Sequence, residues 1–110
     1  MTKTVCIVED QADYRFIFGK LLNPGPARAV HLFESGMALL DQLDDLERRP
    51  DLILLDLHMP HQTGYQTLQR LKAHAHASIK TIPVVIMSAL AEANEINECY
   101  RAGANSFLRK

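Results

Sequence analysis

The chain reads as an α/β domain, a parallel five-stranded sheet with helices on both faces. Three observations carry that reading. Short, strongly apolar runs recur along the chain without polar alternation, which suits strands buried on both sides. Longer stretches with apolar residues at helical spacing separate them. Each connection is long enough for a right-handed crossover between parallel neighbours.

The elements follow in order. Thr4–Val8 is the first buried run, and Ala12–Leu22 the first helix, with Phe16, Ile17 and Leu21 at helical spacing and Asp13 in its first turn. Asn23-Pro24-Gly25-Pro26 stops that helix. Ala29–Phe33 predicts the second strand. Ser35-Gly36 opens a helix carrying Leu39, Leu40, Leu43 and Leu46, with Pro50 beyond its end. Leu52–Leu55 is the third strand. Gly64 begins a helix that turns Leu68 and Leu71 inward and fades into His74-Ala75-His76-Ala77. Pro83 precedes the fourth strand, Val84–Met87. Ala91–Ala102 is a fourth helix closed by Gly103, and Ser106-Phe107-Leu108 begins a fifth strand. The expectation is five strands and four helices in one domain over residues 1–110.

Composition narrows the function. Of 110 residues, 47% are hydrophobic, which excludes a disordered chain, and the formal net charge of −1 argues against a nucleic-acid binder. No apolar run approaches the roughly 20 residues that span a bilayer. Cys6 and Cys99 sit far apart in regular segments, as free thiols of a reducing cytoplasm do. The sequence therefore predicts a cytoplasmic domain with no membrane contact.

In an open parallel sheet the ligand site lies outside the carboxyl ends of the strands. Glu9-Asp10 follow the first run, Asp56 the third and Ser88-Ala89 the fourth, while Lys110 follows the fifth. Singly, each acid is a helix cap, Ser88 a helix start and Lys110 a solvated cation. Together they end four of five strands with complementary chemistry. Two carboxylates about 5 Å apart repel by roughly 3 kcal/mol at an effective dielectric of about 20. Such a cluster calls for a hard divalent cation, Mg²⁺, and lacks the thiolates and imidazoles zinc would want. There is no Gly-rich phosphate loop.

Val8-Glu9-Asp10, Leu54-Leu55-Asp56-Leu57-His58-Met59-Pro60 with Gly64, Ile82–Ala89 and Ala102–Lys110 together resemble the receiver domain of bacterial two-component response regulators. The resemblance runs the length of the chain in the family's order. It implies a flavodoxin-like sheet of strand order 2-1-3-4-5. It implies Asp56 as phosphoacceptor, Asp10 as a direct Mg²⁺ ligand, Glu9 acting through water and His58 lending its backbone carbonyl, with its imidazole incidental. Ser88 matches the switch hydroxyl, Lys110 the lysine that pairs with the phosphoryl group, and Phe107 the aromatic switch position. The implied donor is a histidine kinase or a phosphotransfer protein, and phosphorylation would alter the surface of the fourth helix and fifth strand. The protein would be a switch with no turnover of a small molecule.

Two departures bear on that output face. Phe107 stands where tyrosine is commoner, and the proline and fifth helix that follow the lysine in the family are absent from this sequence. The expectation is that the native chain continues past Lys110 into an amphipathic helix, or that a partner, a second copy included, covers the gap. Two rivals remain: a receiver-like binding module that is never phosphorylated, and a Mg²⁺ phosphohydrolase with an aspartyl nucleophile. Against the second, the position two residues past Asp56 carries His58 where such enzymes place an acid. His61, His74 and His76 read as solvated loop residues, Cys6 as a small core residue, and Met37, Met59 and Met87 as packing residues.

Overall fold

The computed structural model describes residues 3–22, 28–43, 45, 49–59, 63–89 and 91–110. Its elements are β1 (Lys3–Val8), α1 (Ala12–Leu22), β2 (Arg28–Phe33), α2 (Gly36–Leu43), β3 (Leu52–Asp56), α3 (Gly64–Lys72), α4 (Ala77–Lys80), β4 (Val84–Ser88), α5 (Ala93–Arg101) and β5 (Ser106–Arg109). The strands form one sheet in the order β2-β1-β3-β4-β5, and all four pairings are parallel.

Alternation along each strand divides the core in two. Cys6 and Val8 of β1, Ile53 and Leu55 of β3, and Val84 and Ile86 of β4 face one side. There they meet Leu39 and Leu43 of α2, Leu68 and Leu71 of α3, Ile79 of α4 and Cys99 of α5. Val5, Ile7, Leu54 and Met87 face the other side, where Phe18 of α1 packs against them. Residues buried on both faces explain why these runs show no polar alternation in the sequence.

Local signals set the helix ends. Ser35 Oγ accepts the Ala38 amide at 3.1 Å and opens α2. Thr63 and Gln66 exchange side-chain and backbone hydrogen bonds at the start of α3, a capping box. Gly103, at φ 112°, follows α5 in a backbone region that disfavours side chains, and an added Cβ would press on the Lys72 side chain.

The structure corrects several expectations. The described helices number five, because the chain past His76 closes a short turn of helix instead of fading into a loop. Phe16 and Ile17 point outward, 65% and 49% exposed, while Tyr14 and Phe18 of α1 are half-buried. Met37 is 53% exposed, whereas Met59 and Met87 are buried. Both cysteines are free and buried, and burial pushes the Cys6 thiol up to about 12. The predicted stop at Asn23–Pro26, and Leu46, Pro60 and His61, lie outside the described residues. Among the described residues no helix is long and apolar enough to cross a membrane.

Candidate functional site

Four strands deliver polar groups to one edge of the sheet. Glu9 follows β1, Asp56 ends β3, Ser88 ends β4 and Lys110 follows β5. The backbone here extends three of the strand pairings by one rung. The Glu9 amide donates to the Phe33 carbonyl at 3.0 Å, Leu57 to Met87 at 2.8 Å and Lys110 to Ser88 at 3.0 Å. The side chains therefore leave from anchored positions.

They open into a cleft of about 410 Å³ lined by Gln11, Tyr14, Asp56, His58, Ser88, Ala89 and Lys110. At its floor the Lys110 ammonium, on a side chain only 6% exposed, lies 3.1 Å from Asp56 Oδ1 and in closer contact with Glu9 Oε2. Glu9, Asp56 and Ser88 are buried, and Asp10 is half-buried. The residue that looked like a solvated terminal lysine in isolation is a buried cation shared by two acids.

The charges respond to burial and to each other. Desolvation holds the Glu9 carboxyl above its ordinary range, the Asp56 charge adds to this, and Lys110 partly opposes it. Asp56 is likewise raised by burial and by Asp10, again against the pull of Lys110. Burial alone would lower Lys110, but its bonds to Glu9 and Asp56 leave it raised overall.

Glu9, Asp10 and Asp56 each bring a carboxylate oxygen within 4.8 Å of the others. Glu9 Oε2 has the Lys110 ammonium against it and, among the described residues, no further hydrogen-bond donor. A buried oxygen with spare acceptor capacity, in an all-oxygen cluster, fits a hard divalent ion such as Mg²⁺.

Several contacts were not legible in the pattern. Arg15, on the first turns of α1, donates from Nη1 to the Glu9 carbonyl at 2.8 Å and fixes the β1–α1 corner. The Gln11 amide donates to Glu9 Oε1 at 3.2 Å. Tyr14 brings its ring 4.4 Å from Lys110 Nζ. Its place one helical turn after Asp10 was the available clue. His58 lines the cleft, and its imidazole Nε2 lies 3.6 Å from Glu95 Oε2 on α5. Gly64 closes the β3–α3 corner, donating its amide to the Leu57 carbonyl at 2.9 Å. Phe107 is half-buried and packs on the α5 side of the sheet.

Comparison with known proteins agrees with this arrangement. The two-component response regulator ORR3 of Oryza sativa subsp. indica is 36% identical over 106 residues, covering 96% of this chain and 78% of that protein. A protein-glutamate methylesterase/protein-glutamine glutaminase of Treponema pallidum (strain Nichols) is 38% identical over 111 residues, with 96% of this chain covered. The chain spans only 26% of that longer relative. Relatives thus include a plant as well as Treponema, so the likeness is not confined to bacteria. Among solved structures, the phosphorylated cyanobacterial phytochrome response regulator RcpA superposes with a TM-score of 0.89 at 28% identity, over 100% of this chain and 81% of that one. The family described as the response regulator receiver domain matches residues 5–110, and with the strand order and the acidic edge in place, the chain belongs to that family.

Proposed function

We propose that the chain is a phosphorylation-dependent switch of a two-component system, with Asp56 accepting a phosphoryl group from a histidine kinase or a phosphotransfer protein. The observation that carries this reading is the Lys110 ammonium held between Glu9 and Asp56 at the floor of an open cleft. An Asp56 carboxylate oxygen attacks phosphorus, the bond from phosphorus to the donor's histidine nitrogen breaks, and an aspartyl phosphate forms. Lys110 pairs with the transferred oxygens, and the Ser88 hydroxyl donates to one of them. Asp10, Asp56 and the His58 carbonyl would hold Mg²⁺ directly, with Glu9 reaching it through water. Bound there, the ion supplies neutralising charge for the transferring group.

The readout starts at Ser88. Drawn toward the phosphoryl group, it leaves room into which Phe107 turns, and the surface of α5 and β5 changes with it. The chain turns over no small-molecule substrate, which makes it a switch and not an enzyme. Buried free thiols suit a reducing cytoplasm as its place of work.

Incubation with acetyl phosphate and Mg²⁺, followed by mass spectrometry, tests the assignment. One phosphoryl adduct that disappears in Asp56→Asn supports it. An undiminished adduct in that variant overturns Asp56 as the acceptor. No adduct on the wild-type chain favours a binding module, and steady phosphate release from a phosphoester favours a hydrolase.

A further inference from the structure

Lys110 engages two of the acids that a metal would use. Its ammonium touches Glu9 and Asp56, two of the three carboxylates that gather within 4.8 Å. A divalent cation taking those oxygens shares them with the ammonium or displaces it, and like charges at such range repel. What holds the lysine in the cleft when its acids are engaged elsewhere is therefore a question the site must answer.

The geometry points to Tyr14 as the positioning residue for Lys110: its ring retains the ammonium on the cleft side when a divalent cation engages Glu9 and Asp56. The ring centroid lies 4.4 Å from Nζ, within cation–π range. The ring is itself held. Phe18, one turn further along α1, stacks on it with centroids 6.1 Å apart and planes 22° apart. Phe18 in turn packs against the cluster of Val5, Ile7, Leu54 and Met87. A neutral aromatic face attracts the lysine without competing for the metal, as a third carboxylate would. Without metal, the carboxylates hold Lys110 whether or not the ring is there. With metal bound, the ring is the one contact of the three that the metal does not weaken, so its loss falls mainly on the metal-bound state.

This inference rests on the phosphoacceptor reading for its purpose but not for its test. Calorimetric titration with Mg²⁺ alone, without any phosphodonor, compares the wild type, Tyr14→Leu and Tyr14→Phe. The expected result is a dissociation constant raised about three- to tenfold in Tyr14→Leu and restored to near the wild-type value in Tyr14→Phe. Equal or tighter binding by Tyr14→Leu overturns the inference, as does a Phe variant as weak as the Leu variant.

A second measurement covers the case in which Tyr14→Leu fails to fold. The chain has no tryptophan and three tyrosines, so its intrinsic emission is tyrosine emission. Addition of Mg²⁺ to the wild type should change that emission as Lys110 shifts over the ring, and Tyr14→Phe should abolish the change. An undiminished change in Tyr14→Phe, or none in the wild type at saturating Mg²⁺, overturns the role. Mass spectrometry of the wild type with acetyl phosphate separates the two readings. An absent adduct sinks the phosphoacceptor assignment and leaves the Mg²⁺ comparison standing.

Discussion

Lys110 Nζ lies 3.1 Å from Asp56 Oδ1, joining the ends of two strands that do not touch in the sheet. β4 runs between them, so the lysine reaches across the strand that ends in Ser88. Acid, hydroxyl and cation therefore form one arc along the sheet edge. Lys110→Ala should leave Glu9 and Asp56 buried without their cation, at a loss of about 3 kcal/mol near neutral pH. Urea denaturation checks this, and a loss below about 0.5 kcal/mol would mean that the pair is solvated in solution.

Acidity should stabilise the metal-free protein. The folded-state values of Glu9 and Asp56 are both raised, by burial first. A carboxyl that binds its proton more tightly when folded favours the folded state below its unfolded value. That contribution is lost as pH rises through the raised folded value. Denaturation without metal should therefore show stability falling as pH climbs from the ordinary carboxyl range toward neutrality. In Glu9→Gln the slope should flatten. A stability that rises steadily over that interval would contradict the raised values.

Magnesium should reverse the penalty at neutral pH. At about 100 times its dissociation constant, a ligand of the folded state alone adds roughly 2.7 kcal/mol. Thermal melts with and without Mg²⁺ measure it, and the gain should vanish in Asp10→Ala. A gain of equal size in that variant would remove Asp10 from the metal site.

Gly64→Ala should disturb both stability and chemistry. An added Cβ would stand 2.2 Å from the Asp56 carbonyl oxygen and 2.8 Å from Leu57 Cα. Both obstacles are backbone, so the corner carrying Asp56 must move. Overpacking of this kind costs about 1–3 kcal/mol, and adduct formation at Asp56 should slow in the same variant. Unchanged stability together with unchanged adduct formation would show that the corner yields freely.

Much of this was readable from the sequence, for identifiable reasons. Runs such as Leu52–Leu55 announce strands because both of their faces are covered, and Glu9, Asp56, Ser88 and Lys110 stand out because each terminates such a run. Side-chain direction was harder. Phe16 and Ile17 share helical spacing with Tyr14 and Phe18, and only the packing of α1 against the sheet decides which pair turns inward. The contact of the His58 imidazole with Glu95 was not legible, because Glu95 lies on α5, well over thirty residues along the chain. Tyr14 went unnoticed for the same kind of reason: its ring matters only once β5 has brought Lys110 beside it.

The extra rungs at the sheet edge set an order of failure. Glu9, Leu57 and Lys110 each donate the last amide bond of their strand pair, and terminal rungs open more readily than central ones. Fraying of one residue on β5 would carry Lys110 away from both acids while Val5, Ile53 and Ile86 remained packed. Amide exchange at these three positions should accordingly run ahead of exchange in mid-strand. Under heat or denaturant the chemistry should fade while the domain is still folded.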